Sequence, residues 1–441
     1  MTRHAAVIGG GISGLASAYY LAGLGFRVDL FEGEDHLGGL GSTFPYRDGD
    51  LERFYHCILP NDDALIRLIA RLGLDSELLW RRTDMGFMYQ GKVFPLNTAM
   101  DLLRFSPLPV IDRLRMGLMG IRARTGGMSP HLDQVAVMDW IKDLAGVRAA
   151  ELLWKPLLEA KIGDGYPGIP ALWLSSRMGR EKNTKREVKG CLRRGYRSLI
   201  DVLERELRNL GVTICLRTRV EAIESDGYRM ALRLDDGSRE NFDVVVATSP
   251  LVQFQQMTRG LGLPPRIANL TLDYQGVVSG VFLLDKPLSR FYWMPLVDSG
   301  ATAQGVIEMS NLVPLERSQG LYVTYLVNYT HRGSALFQKP EAELLELYRR
   351  DLTALFPDAG RRIVDQFLFR APFVEPIWPL GYRRLRPPTS VIPGRLYLAS
   401  TAQVYPNVNS WNSCCEVVED MLRGLTVETA ARDGLWAEVS S

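Results

Sequence analysis

The first thirty residues alternate between short apolar runs and a helical pattern. Ala5 to Ile8 is continuously apolar, which is typical of a strand buried on both faces. Four apolar residues then recur at helical spacing, and a second strand-like run follows them: Leu15, Ala18, Leu21 and Ala22, then Arg27 to Phe31. The chain therefore begins with a predicted strand–helix–strand unit.

A second region of regular pattern lies between residues 195 and 248. Gly195 opens an amphipathic helix that is predicted to run through Leu210 and to stop at Gly211. Asp236-Gly237 is a typical hairpin turn. The predicted strands of this region are Val212 to Leu216, Val220 to Ile223, Tyr228 to Leu234 and Asp243 to Thr248.

The last third of the chain predicts one more buried strand and a helix. Leu396 to Ala399 is apolar throughout, and Ser413 to Glu416 fits a capping box at which a helix would start. That helix would place Val417, Val418, Met421 and Leu422 on one face. Gly276 to Leu284 and Leu321 to Asn328 predict strands of a separate lobe.

One predicted helix carries an apolar stripe with basic flanks. The stripe consists of Val110, Ile111, Leu114, Leu118 and Ile121, and the flanking arginines are Arg113, Arg115, Arg122 and Arg124. We expect the stripe to pack into the core, with the arginines in solvent. The alternative is an interfacial helix that docks on an anionic membrane.

Composition narrows the classes of function. The 441 residues exceed one ordinary core, so two lobes are expected. A net charge of +2, from 52 basic and 50 acidic residues, indicates no nucleic-acid partner. Five scattered histidines and five cysteines without ligand spacing predict neither a metal cluster nor a hydrolytic triad. The early first strand and the absence of a long uncharged apolar run predict a cytoplasmic protein.

The turn after the first strand is rich in glycine. Gly9, Gly11 and Gly14 form a GxGxxG motif, with Ile12 and Ser13 inside it. In such a turn the first glycine permits the tight bend, the second lets the backbone approach a pyrophosphate, and the third lets helix and strand pack closely. The helix N-terminus offers free N–H groups to phosphates. The pattern therefore predicts a dinucleotide site.

The carboxylate at the end of the second strand defines the ligand further. Glu32 would accept hydrogen bonds from the hydroxyls of an adenosine ribose and would repel a 2′-phosphate. A second glycine motif follows it, and its residues are Gly38, Gly39, Leu40, Gly41 and Ser42. NAD does not require a second motif at this point, whereas the longer FAD runs past more exposed backbone. FAD is the predicted cofactor.

On these motifs the chain resembles the flavin-dependent amine oxidase superfamily, in the branch that holds protoporphyrinogen oxidases and phytoene desaturases. The resemblance implies an α/β, two-lobed flavoprotein. Its Rossmann-type FAD-binding domain would accompany an α+β substrate domain built on a mixed or antiparallel sheet. The FAD-binding domain would comprise residues 1–84, 190–270 and 389–425, and the substrate domain residues 85–189 and 271–388. Residues 426–441 would form a C-terminal tail.

The resemblance also implies cofactor contacts outside the glycine motifs. Glu32 would hold the ribose, residues 38–42 would flank the pyrophosphate and ribityl chain, and the Val220 backbone would meet the adenine edge. Near the flavin ring the implied contacts are Asn409, Ser410, Trp411 and Asn412, at the start of a helix whose dipole favours reduced flavin. The family's Gly-Asp after the last strand is Ser400-Thr401 in this chain.

Three residues are candidates for catalysis. Tyr55 and His56 belong to a polar cluster soon after the second glycine motif, and Lys161 interrupts an apolar stretch. Lysine is rarely buried without a purpose, and a lysine near a flavin tunes its chemistry. Trp378, Tyr382, Tyr405 and Trp411 are aromatic candidates for a substrate face, although core packing is the favoured explanation for each of them taken singly.

The predicted activity is removal of a hydride from a C–H bond next to carbon or nitrogen in a small or lipid-like metabolite. One alternative is a non-redox sugar mutase of the UDP-galactopyranose type, which the arginine-rich Arg383-Arg384 region leaves open. Another is a binding or escort protein that keeps the fold without catalysis. The sequence leaves the substrate, the electron acceptor and the oligomeric state open.

Overall fold

A computed structural model describes residues 2–125, 129–180 and 187–432. Its first sheet has six strands drawn from distant parts of the chain. In spatial order they are Ser390–Ile392, Leu396–Leu398, Val244–Ala247, His4–Ile8, Arg27–Phe31 and Thr213–Cys215. All neighbouring pairs are parallel except the first. The central strands are buried on both faces, as their uninterrupted apolar sequences predict.

Helices and a small antiparallel layer cover this sheet. The layer is a meander of Val220–Ser225, Met230–Leu234 and Arg239–Phe242. The helices of this part of the chain are Ile12–Gly23, Asp63–Arg71, Tyr196–Asn209, Leu251–Met257, Pro265–Ala268 and Trp411–Arg432. The strand bounds agree with the sequence patterns to within about two residues.

A second, larger sheet is mostly antiparallel. Its order is Ile363–Ile377, Asp273–Leu284, Tyr322–Thr330, Gly305–Glu308, Phe291–Val297, Leu78–Tyr89 and Lys92–Pro95, with Glu187–Leu192 also beside Leu78–Tyr89. Only the contact between Phe291–Val297 and Leu78–Tyr89 is parallel. A short hairpin consists of Thr43–Tyr46 and Gly49–Glu52. In the sequence it follows strand Arg27–Phe31 of the first sheet and precedes strand Leu78–Tyr89 of the second. The predicted mixed sheet of the second lobe is confirmed.

Helices pack on the second sheet and beside it. They are Ala99–Arg104, Val110–Thr125, Val137–Ala145, Val147–Ala149, Lys155–Ile162, Ala171–Arg180, Ala335–Gln338, Glu341–Leu355, Ala359–Arg362 and Tyr382–Leu385. One further turn, Ala150–Trp154, is a π-helix. The division into two lobes stays a prediction, and its boundaries at 84/85 and 189/190 fall within strands Leu78–Tyr89 and Glu187–Leu192.

Two sequence predictions about helices are wrong. The apolar stripe of Val110–Thr125 faces solvent, because other residues of that helix fill its buried side. The last helix starts at Trp411, two residues before the predicted capping box. It also continues to Arg432, so the predicted tail from residue 426 is helical at its start, and residues 433–441 lie outside the described residues.

Candidate functional site

The two sheets border a cavity of about 880 Å³. One wall holds Ile8, Phe31 and Thr248, which stand at the carboxyl ends of parallel strands. The opposite wall holds Ser279 and Tyr329 from the second sheet. Ligands of α/β proteins bind at the carboxyl ends of parallel strands, so this cavity is the candidate site.

The first glycine motif forms the floor of the cavity. Gly9 has a φ of +107°, a conformation that glycine adopts without strain. A side chain on Gly14 would place its Cβ 1.7 Å from the Gly9 carbonyl oxygen, so only glycine fits there. A Cβ on Gly11 would meet only the Gly39 Cα, at 4.0 Å. Gly11 therefore exposes its backbone to the cavity, at the N-cap of helix Ile12–Gly23.

The second glycine motif is tied to the first by the backbone. The Gly38 N–H donates to the Gly10 carbonyl at 2.8 Å, and Gly38 has a φ of +112°. Gly39 and Leu40 line the cavity, whereas Gly41 and Ser42 lie behind them. A Cβ on Gly41 would come 2.0 Å from the Trp411 ring. The motif therefore joins the glycine turn to the last helix.

Glu32 lies at the cavity wall, at the end of the second strand. Its Oε2 accepts the Gly10 N–H at 2.6 Å, and its Oε1 accepts the Glu34 N–H at 2.8 Å. These bonds hold the carboxylate in place beside the glycine turn, and each oxygen keeps a further lone pair. Such a carboxylate is preorganised to accept hydroxyl donors from a ribose.

The other predicted cofactor residues near the glycine turn also lie at the cavity. Ile12 and Ser13 line it at the start of the first helix. Val220 lines it at the start of the meander, flanked by Arg219 and Glu221. Val220 therefore lies at the wall, and its contact with an adenine stays a prediction.

The segment after the last parallel strand uses its two hydroxyl residues differently. Ser400 is buried and caps a short turn: its Oγ accepts the Ala402 N–H, and its own N–H donates to Gln403. Thr401, the next residue, lines the cavity. Of the pair that replaces the family's Gly-Asp, Thr401 is in reach of a ligand and Ser400 is not.

The N-terminus of the last helix faces the cavity. Asn409, Ser410, Trp411 and Cys414 line it, and the Ser410 carbonyl accepts the Cys414 N–H at 3.0 Å. Asn412 points away, because its Oδ1 accepts the Leu65 N–H and its Nδ2 donates to Glu416. Any contact of residue 412 with a ligand would therefore be made by its backbone.

Cys414 is a buried thiol at this wall. Burial raises its pKa to about 11, so the sulfur stays protonated at neutral pH. Burial raises the pKa of Cys415 as well. Neither sulfur is a thiolate at neutral pH, so the pair is suited to packing rather than to redox chemistry.

Polar groups from separate elements meet where the second sheet covers the cavity. The Lys161 ammonium lies 3.1 Å from Oε2 of Glu375, which is almost completely buried, and 4.3 Å from the Tyr329 ring centre. The hydroxyls of Tyr329 and Tyr55 are 2.8 Å apart. Burial raises the pKa of both tyrosines, so both remain neutral donors. Lys161 and Tyr55, predicted independently, belong to one cluster.

His56 stands at the same cavity in an aromatic setting. Its Nδ1 lies 2.9 Å from the Phe54 carbonyl, and because a carbonyl only accepts, this nitrogen carries the proton. Burial lowers the pKa of His56, so the ring is neutral with Nε2 as an acceptor. Its ring lies 5.1 Å from that of Tyr196 and 6.1 Å from that of Trp411.

Sequence reasoning missed several cavity residues. Glu375 comes from a long strand in which no pattern singles it out, and Arg177 lies on helix Ala171–Arg180. Glu187 and Lys189 also line the cavity, with their charged atoms 2.8 Å apart. Both belong to a segment that is rich in charged residues, from Arg180 to Gly190, and this density of charge was the signal in the sequence that could have identified them.

Some aromatic and basic candidates lie elsewhere. Trp378, Tyr382 and Tyr405 are buried in a cluster of their own, where the Tyr382 hydroxyl donates to the Ala402 carbonyl. Arg383 and Arg384 are exposed and do not line the cavity. Of the aromatic candidates, Trp411 alone reaches the wall.

The cavity wall suits FAD along its length. Glycine backbone and a helix N-terminus stand where phosphates need N–H donors, and a fixed carboxylate stands where a ribose needs acceptors. Comparison with known sequences also indicates a flavin cofactor. Residues 12–408 match the family of flavin containing amine oxidoreductases. The chain belongs to this family.

The relatives of this amine oxidoreductase are distant. A zeta-carotene desaturase of Zea mays is 27% identical over 175 residues, which is 34% of this chain and 31% of the relative. A coproporphyrinogen III oxidase of Staphylococcus aureus is 22% identical over 287 residues, 57% of this chain and 61% of the relative. The chain thus spans between about a third and three fifths of the length of these curated relatives.

A solved structure extends the likeness to the whole fold. An oxidoreductase from Methanosarcina mazei superposes with a TM-score of 0.72 at 17% identity, covering 95% of this chain and 100% of that protein. At this identity the match establishes the fold alone. Together with family membership it confirms the predicted fold class, the flavin cofactor and the class of flavin-dependent oxidoreductases.

Proposed function

We propose that this oxidoreductase removes a hydride from a C–H bond next to nitrogen or carbon in a metabolite that carries a polar or charged group. The observation that carries the proposal is the polar cluster of Lys161, Glu375, Tyr329 and Tyr55 at the cavity. A wall meant only for a hydrocarbon would be apolar, because unpaired polar groups are costly beside an apolar ligand.

Glu375 supplies the strongest indication of substrate polarity. One carboxylate oxygen pairs with Lys161, and Oε1 has no hydrogen-bond partner in the part of the chain that the structure describes. A buried carboxylate oxygen without a donor is costly, so a substrate N–H or O–H would satisfy it. Glu187, Lys189 and Arg177 add further charge to the same cavity.

The proposed roles follow from position. Gly9, Gly11, Gly38 and Gly39 would present backbone to the pyrophosphate, and Glu32 would hold the ribose. Val220, Thr401 and the loop from Asn409 to Trp411 would complete the cofactor site, while Gly14, Gly41, Ser42, Ser400 and the Asn412 side chain support it from behind. When bound, FAD would accept the hydride.

The chain's own residues would then orient the substrate. Lys161 and Glu375 would fix its polar group, Tyr55 and Tyr329 would close the wall beside it, and neutral His56 would accept a proton at Nε2. Closure of the cavity by the second sheet would keep water from the reacting carbon.

The two rival functions lose support at particular residues. The mutase alternative rested on Arg383 and Arg384, and both side chains lie outside the cavity. The escort alternative rested on Ser400-Thr401, and Thr401 still reaches the wall. The polar cluster of Lys161, Glu375, Tyr329 and Tyr55 beside the proposed cofactor site supports catalysis over escort.

The test is anaerobic reduction of the FAD-loaded protein by a panel of amines, charged lipid precursors, neutral polyenes and nucleotide-linked sugars. We expect the visible flavin band to bleach with a charged or amine-bearing member of the panel. Bleaching by neutral polyenes alone would contradict the proposed substrate class. Isomerisation of a sugar without net substrate oxidation would identify a mutase instead.

A further inference from the structure

The helix Val110–Thr125 presents an apolar face to solvent. Five aliphatic side chains lie within an arc of about 100° on its surface, given about 100° per residue: Val110, Ile111, Leu114, Leu118 and Ile121. Their exposed fractions run from 50% for Leu114 to 62% for Val110. Single exposed aliphatic residues are ordinary, but a continuous face of five indicates a contact surface.

The opposite side of the same helix already packs on the protein. Asp112, Met119 and Ala123 are buried there, and Met116 is partly buried. The protein therefore uses one side of this helix, and the exposed aliphatic arc is a second apolar side. We call that arc the apolar face.

The apolar face has a basic border along one edge. Arg115 and Arg122 are exposed and both lie next to that edge on the helix surface. The one carboxylate between residues 110 and 123, Asp112, is buried, and it lies beside Gly146 together with the Arg115 guanidinium, so Arg122 is the arginine farther from it. Arginine stems beside an apolar arc let the guanidinium groups reach phosphates while the aliphatic side chains insert between acyl chains.

The preceding helix exposes the same kinds of residue, large apolar side chains and arginine. Ala99–Arg104 exposes Met100 and Leu103, and Arg104 follows them. Its single acid, Asp101, is engaged in a capping box with Thr98. Two consecutive helices thus expose large apolar side chains together with arginine and without a free carboxylate of their own.

We propose that the apolar face of Val110–Thr125 docks the protein on the surface of an anionic phospholipid membrane. Charge decides between this partner and a second copy of the chain. A symmetric pair would bring the same patch against itself and set the arginines of both copies together. Anionic lipid headgroups neutralise them instead. No helix of the described residues is both long and apolar enough to span a bilayer, so the contact would be peripheral.

The test uses FAD-loaded full-length protein and sedimentation with vesicles. One set of vesicles contains phosphatidylcholine alone, and the other contains equal parts of phosphatidylcholine and phosphatidylglycerol. We expect binding to the anionic vesicles and a loss of binding at high salt. Ile111→Ser/Leu114→Ser/Leu118→Ser should weaken binding by roughly a hundredfold, because three inserted side chains are lost. Arg115→Gln/Arg122→Gln should weaken it by roughly tenfold or more.

A matched variant controls for apolar surface in general. Leu24, Leu210 and Val364 are exposed by 53%, 47% and 44% at scattered positions. Leu24→Ser/Leu210→Ser/Val364→Ser should leave vesicle binding unchanged. Equal loss in this control would overturn the proposal, as would absence of wild-type binding to anionic vesicles.

Two further measurements keep the proposal independent of variant folding. Hydrogen exchange of the wild-type backbone between residues 110 and 123 should slow when anionic vesicles are added. An unchanged exchange rate would contradict docking by this helix. Sedimentation velocity without lipid would reveal a dimer, and a dimer that the triple Ser variant dissociates would assign the apolar face to a second copy.

Discussion

At the scale of single residues, the glycines of the cavity floor are not equivalent. Gly14 has no room for any side chain, because the Gly9 carbonyl oxygen occupies that space. Gly23, at the other end of the same helix, has nothing within 4 Å of a built Cβ. The two glycines therefore separate the effect of a methyl group in the turn from its effect on the helix.

Gly14→Ala should abolish or severely weaken FAD binding, since the turn must open to admit the new Cβ. Gly23→Ala should retain FAD and gain slightly in stability, by up to about 1 kcal/mol, because alanine favours helix. The ratio of flavin absorbance to protein absorbance after purification measures both. Equal flavin content in the two variants would contradict the proposed turn.

Lys161 and Lys155 make a second matched pair, on one helix. Lys161→Met should slow substrate reduction of the flavin by about tenfold to a hundredfold, the cost of one charged hydrogen bond, without loss of FAD. Lys155 is exposed and pairs only loosely with Glu151 and Glu159, at 3.8 and 4.0 Å. Lys155→Met should match wild type in stopped-flow reduction, and a similar defect in both variants would remove Lys161 from the substrate site.

His56 predicts a pH dependence of stability with a defined sign. Burial lowers its pKa below the value of about 6.5 in the unfolded chain, so the unfolded chain binds the proton first. The free energy of unfolding should therefore fall as the pH drops below about 6.5, by at most about 1.4 kcal/mol per pH unit.

The variant His56→Gln should show a shallower fall in urea unfolding across that range. The exposed His131, changed to glutamine, should reproduce the wild-type slope. If His56→Gln also keeps the wild-type slope, the histidine is not the buried neutral group described above.

At the scale of elements, one buried ion pair connects the hairpin to elements beside both sheets. Glu52, at the end of strand Gly49–Glu52, binds Arg317 at 2.6 Å, and the two side chains are 4% and 9% exposed. The same carboxylate accepts the Tyr196 N–H at 3.2 Å, at the start of a helix on the first sheet. The pair therefore holds together the elements that border the cavity.

Glu52→Gln keeps the size of the side chain and removes its charge. The uncompensated Arg317 should destabilise the fold by about 3–5 kcal/mol. The exposed pair of Arg67 and Glu419, at 2.7 Å, gives the comparison, and Glu419→Gln should cost less than about 1 kcal/mol. Chemical denaturation measures both, and equal costs would show that Glu52 does not carry this role.

The sequence predicted most elements because local pattern and burial agree in them. Arg27–Phe31 matches its prediction to the residue, because its buried Val28, Leu30 and Phe31 stand between Gly25 and Glu32. The prediction that the apolar stripe of Val110–Thr125 is buried was wrong. Periodicity shows that a helix has an apolar side, but it does not show which partner covers that side. The last helix starts early because Ser410, rather than Ser413, precedes its first turn.

At the scale of the whole molecule, the cavity depends on contacts that no local pattern contains. The cofactor half was predictable, because a glycine turn, a helix and a carboxylate lie within thirty residues of each other. The substrate half joins Lys161, Tyr329 and Glu375 across more than two hundred residues of sequence. Tyr329 and Glu375 lie on the two strands that flank Asp273–Leu284. The pairing of that strand with both neighbours brings these two side chains to the same region of the sheet.

The proposed division into two lobes would assign separate tasks to the halves of the cavity. The first sheet with its glycine turns would hold the cofactor, and the second sheet would select the substrate. Changes to Lys161 or Glu375 should therefore leave FAD affinity intact, whereas changes to Gly14 or Glu32 should not. This separation makes the cofactor site testable without knowledge of the substrate.

The central claim is that the first glycine turn and Glu32 bind the adenosine half of FAD. The most direct measurement is titration of the flavin-free protein with FAD and with FMN, which lacks that half, followed by flavin fluorescence. We predict tight, one-to-one binding of FAD, failure of FMN to compete, and an affinity for FAD at least about tenfold weaker in Glu32→Ala. Equal affinity for FMN and FAD, or no effect of Glu32→Ala, would contradict the account.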